Sequence, residues 1–377
     1  MTDASLVVLS HLRWDWVWQR PQHIVNRLAR YRPVWFVEAP RPSAQCTEPR
    51  LVRECAGAVE RVWLEVPASA GGETVCDYGD PRSRDLPDML HDFLAHRIGE
   101  HDVWLYTPMA YDVAAALAPR LLIYDVMDDL GSFADAPEGY PLRERRALER
   151  ADIVFTGGRS LHRAVTARRP KHTYLFPSGV EAAHYGASRA LRKPHDVPVA
   201  GYVGVLDERL DLELLAKLAD DLPDWQIQMA GPVTKIDPDT LPQADNIRYL
   251  GMQPYERLPE VMSGFDVALM PFALNAATAR ISPTKTLEYL AAGLPVVSTR
   301  VTDVIADFGD VVHFADTGAE FADACRLVVT HSLDVRDRRV APIRRRHEWD
   351  EIVAAMTSVI DDYARADAEI ELPEETA

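Results

Sequence analysis

One short stretch, "ISPTKTLEYL" at residues 281–290, sets a hydroxyl residue, a proline, a lysine and a glutamate in an order that could grip a phosphate and a sugar together. The apolar spacing downstream predicts a helix ending at Gly293. Helix N-termini carry unpaired backbone N–H groups and a partial positive charge. A turn of small hydroxyl residues leaves those groups open to a phosphate. Pro283 suits the first turn, Ser282 or Thr284 can cap, and Lys285 adds a full positive charge at the same point. Glu288 shares a helix face with Lys285 and Thr284, because residues three and four apart are neighbours. A carboxylate there can accept from the vicinal hydroxyls of a ribose. Phosphates plus ribose make a nucleotide. The same residues also describe a capped helix with a Lys–Glu surface pair, and on residues alone both readings stand.

Two further stretches could carry chemistry. "HLRWDWVWQRPQH" (11–23) alternates Trp14, Trp16 and Trp18 and adds His11, Asp15, Arg20 and His23. Aromatic faces can pack on sugar rings, and the polar residues could orient hydroxyls or a phosphate. The same tryptophans could instead staple a first helix to its sheet. "YDVMDDLGSF" (124–133) places Asp125, Asp128 and Asp129 at a strand end, as a helix cap or as a contact to an acceptor hydroxyl, with Asp128 or Asp125 nearest the reaction. "TGGRS" is no G-x-G-x-x-G fingerprint, and no G-x-S-x-G elbow occurs.

The elements that must position these residues alternate between short apolar runs and helical patterns, the signature of parallel sheets. The chain has 377 residues, which favours two domains. Seven strand candidates precede residue 180 and six follow residue 198. The polar, proline-bearing segment 187–198 reads as the linker. Ligands in such sheets bind at the carboxyl ends of strands, so a cleft between two such domains is the expected site. Net charge −17 argues against nucleic acid and against general adhesion to anionic lipid. A local exception is the arginine-rich run from Arg143 to His172, read either as solvated helix faces or as a patch for a phosphorylated or membrane-borne acceptor. The four cysteines have no zinc spacing, and the N-terminus lacks a signal-peptide pattern, so a cytoplasmic protein is expected.

"LEYLAAGLPVVST" resembles the C-terminal signature of the large retaining glycosyltransferase family of GT-B architecture (group 1, family 4-like). "LFPSGVEAAHY", "GYVGVLDER", "MAGP", "IRYLG" and "FDVALMPF" match its other segments in order. The opening tryptophan motif resembles a bacterial subgroup with cell-surface polysaccharide and teichuronic-acid transferases. The resemblance implies an α/β fold of two Rossmann-like, doubly wound domains facing each other across a cleft. Residues 1–190 would bind the acceptor and 191–350 the nucleotide sugar. A helix at 351–366 would pack back on the first domain, and 367–377 would be a disordered acidic tail. It implies transfer of a sugar from a UDP- or GDP-sugar to a sugar, lipid-linked or small-molecule acceptor, with retention. Glu288 takes the ribose position. The expected donor-side residues are Gly204, Glu208, Arg209, Gly231, Pro232, Leu250, Arg280, Ser282, Pro283, Thr284, Lys285, Thr286 and Glu288. Those on the acceptor side are His11, Trp14, Asp15, Trp18, Arg20, His23, Thr107 and Asp125. Lys285, Arg209 and Asp128 are the expected catalytic groups. With Lys285, Arg209 and a helix terminus at the diphosphate, no metal and no further cofactor is expected. Nucleic acid is not an expected partner; weak peripheral membrane contact is.

Three positions depart from the pattern. The family's first glutamate falls at Arg280, its arginine after the glycine turn at Val205, and its first-domain histidine near Thr107. The departures keep open a sugar-nucleotide epimerase or phosphorylase on the same fold, or a non-catalytic sugar-nucleotide-binding protein.

Overall fold

The computed structural model describes residues 4–68, 77–133, 136–330 and 333–371, with the backbone alone for 333–336 and 368–371. Its strands form two sheets. The first holds β1 (Ser5–Ser10), β2 (Val34–Glu38), β3 (Arg41–Ser43), β4 (Arg50–Ala56), β5 (Val59–Pro67), β6 (His101–Leu105), β7 (Leu122–Val126), β8 (Ile153–Thr156) and β9 (Thr173–Leu175). They run β3-β5-β2-β1-β6-β7-β8-β9, with β4 antiparallel on β5. The second holds β10 (Val199–Val203), β11 (Gln226–Ala230), β12 (Ile247–Gly251), β13 (Val267–Met270), β14 (Val296–Ser298) and β15 (Val312–Phe314), in the order β12-β11-β10-β13-β14-β15. β1 and β10 are buried at every residue. Helices covering both faces of a parallel sheet require that, so these strands read as apolar runs rather than alternations.

Each sheet has one switch point. The chain leaves β1 toward β2 on one side and returns as β6 on the other; it leaves β10 toward β11 and returns as β13. Crevices open at the carboxyl ends of such strand pairs. The residues after β1 and β6 (His11, Thr107) and those after β10 and β13 (Val205, Phe272) line cavities between the domains.

The chain crosses between domains twice, side by side. Val180 bridges Glu348, and the Val180 amide donates to the His347 carbonyl at 2.7 Å. The crossing is tight: a Cβ on Gly179 would lie 2.7 Å from that carbonyl oxygen and 2.8 Å from the Trp349 ring. Val180 and Tyr185 belong to the core of the second sheet. The change of domain therefore precedes the segment expected as linker. Part of that segment is the helix Ser188–Leu191, where Ser188 Oγ donates to the Ala292 carbonyl at 3.0 Å and Arg189 pairs with Asp337 at 2.8 Å. Ser188 and Arg189 are thus held by the second domain, which composition does not reveal, while residues 193–197 are exposed.

The helix Trp349–Glu371 returns to the first domain. Trp349, Ile352, Val353, Met356 and Ile360 pack with Leu6, Val8, Ile24 and Phe36 in one cluster. Residues 367–371 of the expected acidic tail continue this helix; 372–377 lie outside the described residues, as does Cys76. Strands β3 and β4 were not expected. β4 is an edge strand of mostly exposed residues, held to β5 by pairs such as Arg53–Glu60 at 2.7 Å and Arg50–Glu65 at 2.7 Å. Cross-strand charge pairs replace the apolar alternation that would announce it.

Candidate functional site

Two adjoining cavities lie between the domains. The larger, about 560 Å³, sits between Gly231, Pro232, Met252 and Tyr255 of the second domain and the Trp14–Trp18 loop of the first. The smaller, about 120 Å³, holds Asp128, Arg209, Ser282, Thr284, Lys285 and Glu288. Gly204 and Lys285 line both. The floor is close-set backbone. Gly231 has φ +151°, and a Cβ there would sit 1.8 Å from the Gly204 carbonyl oxygen. Only glycine allows that approach.

The helix Thr284–Ala291 begins beside the smaller cavity. Pro283 takes the cap position, and no side chain closes the first turn, so neither Ser282 nor Thr284 caps as expected. Proline has no hydroxyl to offer, so the turn keeps the N–H groups that a capping oxygen would have taken. Lys285 Nζ lies 2.8 Å from Glu288 Oε2, and both are largely buried. Thr286 is fully buried, with Oγ1 3.3 Å from Met270 Sδ, so it packs the core instead of facing the cavity. Leu250, Glu208 and Arg280 line neither cavity. Arg209 does line one. Asp207 receives its Nε at 2.9 Å and Nη2 at 2.7 Å, and this pairing holds the guanidinium charged against its burial.

On the first-domain side, Asp128 is the one residue of the aspartate cluster that lines the smaller cavity. Burial pushes its carboxyl up, opposed by the Arg209 charge. Asp125 and Arg20, expected to face an acceptor, are instead closed on each other. Both are buried, Arg20 Nε lies 2.9 Å from Asp125 Oδ2, and Arg20 Nη1 donates to the Phe176 carbonyl at 2.8 Å. A pair placed this deep needs partners for both ions, and each supplies the other's. His23 is similarly enclosed. Its ring stacks on Trp349 at 5.0 Å, Nδ1 accepts from Trp18 Nε1 at 3.3 Å, and burial drops its pKa to about 3. It stays neutral near pH 7 and serves the hinge. Trp14 is buried against Phe36, 5.0 Å between ring centroids, while its edge lines the larger cavity; Trp18 stacks on Tyr255 of the second domain at 5.5 Å. Asp15 is half exposed and bound to Arg61 at 3.1 Å. His11 and Thr107 lie in a third cavity of about 630 Å³ with Tyr78, Phe133, Tyr140 and Lys235. Burial, helped by the Lys235 charge, lowers His11 to about 4. Thr107 Oγ1 accepts from the Met109 amide at 3.3 Å and so caps a short turn.

Several contacts at the interface were not anticipated. Arg280 reaches across to Asp129, whose carboxylate also accepts from Ser132 Oγ at 2.7 Å. Lys235 sits 4.3 Å over the Phe133 ring. Ser160 donates to Asp303 through its amide at 3.1 Å and its hydroxyl at 2.5 Å. Tyr255 Oη donates to Glu181 at 2.6 Å. No periodicity marks Lys235 or Asp303; "QPYE" after β12 was the available signal for Tyr255.

Residues 197–331, which carry the glycine floor, Arg209 and the Lys285–Glu288 helix, match the family model described as glycosyl transferases group 1. The match falls within the second domain. The chain is 26% identical over 223 residues to the Bacillus subtilis (strain 168) protein TuaH, named as a teichuronic acid biosynthesis glycosyltransferase. The match covers 55% of this chain and 56% of TuaH, so it spans about half the length of that relative. Among solved structures, sucrose-phosphate synthase from Thermosynechococcus elongatus superposes with a TM-score of 0.71 at 16% identity, covering 96% of this chain and 100% of that one. The Anabaena protein HepE in complex with UDP and glucose gives 0.68 at 15% identity, covering 94% and 99%. At such identities the likeness establishes the fold, the two facing domains of the GT-B architecture.

Proposed function

We propose that the protein transfers a sugar from a nucleoside-diphosphate sugar to an acceptor hydroxyl, with retention. The observation that carries this reading is the convergence of Lys285, Glu288, Arg209 and an uncapped helix start on one cavity that Asp128 closes from the other domain. The base fits the larger cavity over the Gly204–Gly231 floor, and the ribose fits where the two cavities adjoin at Gly204 and Lys285, with Glu288 toward its hydroxyls. The diphosphate fits between the helix start, Lys285 and Arg209. HepE bound to UDP and glucose on the same fold supports a uridine nucleotide.

As the glycosidic bond breaks, negative charge grows on the leaving phosphate. Lys285 and the backbone N–H groups at Thr284 stabilise that charge most where it develops. Arg209 contributes while braced by Asp207. The acceptor approaches on the same face as the departing phosphate, and the phosphate takes the hydroxyl proton. Asp128 positions that hydroxyl. The buried interface excludes water, which would otherwise compete as acceptor.

The experiment is a thermal-shift screen of nucleotides and nucleotide sugars, followed by assay of nucleoside-diphosphate release with an acceptor panel. Ligand binding raises the melting temperature by mass action. The expected result is stabilisation by one nucleoside diphosphate and its sugar, then acceptor-dependent release with an α-configured donor giving an α-linked product. Sugar conversion without any acceptor would assign an epimerase instead. Tight nucleotide binding without turnover on every acceptor would assign a binding protein.

A further inference from the structure

The arginine-rich run has a defined place in the fold. It forms the helices Tyr140–Arg150 and Arg159–Arg168, whose neighbouring faces are tied by Arg168 and Glu144 at 2.6 Å. Between residues 140 and 172 there are nine arginines and lysines and three acidic residues, in a chain whose net charge is −17. The remainder of the molecule is thus strongly acidic, and this segment is a basic island within it. Ala147 and Leu148 of the first helix face the sheet. Its opposite side exposes Leu142, Arg145, Arg146 and Arg150, with Glu149 among them. Among the described residues Arg146, Arg150 and Lys171 form no ion pair; Arg145 has only Glu149, at 4.0 Å.

We propose that this surface docks on an anionic lipid bilayer. Basic side chains around an exposed leucine suit the negative headgroup region and its apolar boundary. The surface also adjoins an opening in the protein. Pro137, Glu138 and Tyr140, at the start of the same helix, line the 630 Å³ cavity with His11 and Thr107. Docking therefore brings the bilayer to the rim of the first-domain cavity. An acceptor anchored in that bilayer would reach the cavity without leaving the membrane; this last step rests on the proposed transfer reaction, whereas docking does not. No helix among the described residues is long and apolar enough to cross a membrane, so the contact is at the surface.

The test is co-sedimentation of the full chain with phosphatidylcholine vesicles, with and without phosphatidylglycerol, at low and high salt. Binding should require the anionic lipid and weaken with salt. The triple variant Arg145→Glu/Arg146→Glu/Arg150→Glu should lose about 10²-fold or more in vesicle partitioning, from roughly fivefold for each basic residue at an anionic surface. Its thermal stabilisation by a nucleoside diphosphate should match that of the unaltered protein, which shows the fold and the other domain intact. Binding independent of anionic lipid, or equal binding by the triple variant, would overturn the proposal. Binding to a soluble acidic polysaccharide without binding to vesicles would overturn it too, assigning the surface to a polymer. Vesicle binding without any sugar transfer would leave docking standing and count against the reaction alone.

Discussion

Lys285 Nζ stands 2.8 Å from Glu288 Oε2, one turn apart on the helix whose first turn opens on the cavity. The two charges proposed for different parts of a nucleotide are paired with each other. Side-chain exposure is 17% for the lysine and 8% for the glutamate, so neither is left as a lone buried ion. A diphosphate would draw the ammonium away, and a ribose would then take the freed carboxylate.

Glu288→Ala removes the proposed acceptor of the ribose hydroxyls. A hydrogen bond to a charged group is worth about 1.5–3 kcal/mol, so nucleoside-diphosphate affinity should fall by about 10- to 100-fold. Isothermal titration measures it. Unchanged affinity would remove Glu288 from the ribose.

Lys285→Ala should lower turnover more than donor binding. The ammonium meets a diphosphate in both states, but extra charge develops only as the glycosidic bond breaks. Groups of this kind are worth about 10²–10³ in kcat. Lys285→Arg should rescue in part, because a planar fork replaces a compact charge poorly at a tight turn. Steady-state kinetics beside donor titration separates the two effects. A raised KM with normal kcat would mean that Lys285 binds donor and transition state alike.

The sequence made much of this visible, and particular residues show where its reach ends. Buried strands such as β1 and β10 are apolar at nearly every position, and the glycines at 204 and 231 stand where the carboxyl ends of strands meet. Lys285 and Glu288 were legible because helix spacing fixes their common face. Arg20 and Asp125 were misread because their partnership spans 105 residues. Nothing local distinguishes a charge aimed at a ligand from one aimed at a buried partner. The pairing of Asp129 with Arg280 was hidden for the same reason: they meet only when two separately folded sheets face each other.

Gly231→Ala should destabilise the protein by about 2 kcal/mol or more, since the backbone is left-handed there and the new carbon would overlap the Gly204 carbonyl. Urea denaturation gives the stability, and nucleotide titration of the folded fraction should show weaker binding from the displaced floor. A variant equal to the unaltered protein in both would mean that the Gly204–Gly231 contact is not required.

Arg280→Ala should loosen the closed arrangement. The Arg280–Asp129 pair links the two domains, beside Ser160–Asp303 and Arg159–Asp307. Small-angle scattering should show a larger radius of gyration for the nucleotide-free variant and partial recovery with donor. Identical profiles for variant and unaltered protein, with and without donor, would show that the pair does not govern closure.

Acid should weaken the hinge through His23. Burial holds its pKa at about 3 against an ordinary 6.5, with Arg27, His184 and Lys285 adding to the effect and Glu181 opposing it. The folded state therefore favours the neutral ring. Its contribution is fully present above pH 6.5 and is lost as pH falls toward 3, because protons then bind the unfolded chain more readily. By about pH 4 the loss should be on the order of 3 kcal/mol. His11, held near 4 by burial and Lys235, acts in the same direction over a narrower range. Protonating Nδ1 of His23 also removes the acceptor for Trp18 Nε1, and Trp18 stacks on Tyr255 across the domains. His23→Gln keeps a hydrogen-bond acceptor but does not titrate, so its stability should fall less steeply between pH 7 and about pH 4.5. Denaturant midpoints at the two pH values measure the slope. Equal slopes for the variant and the unaltered protein would show that acid acts elsewhere.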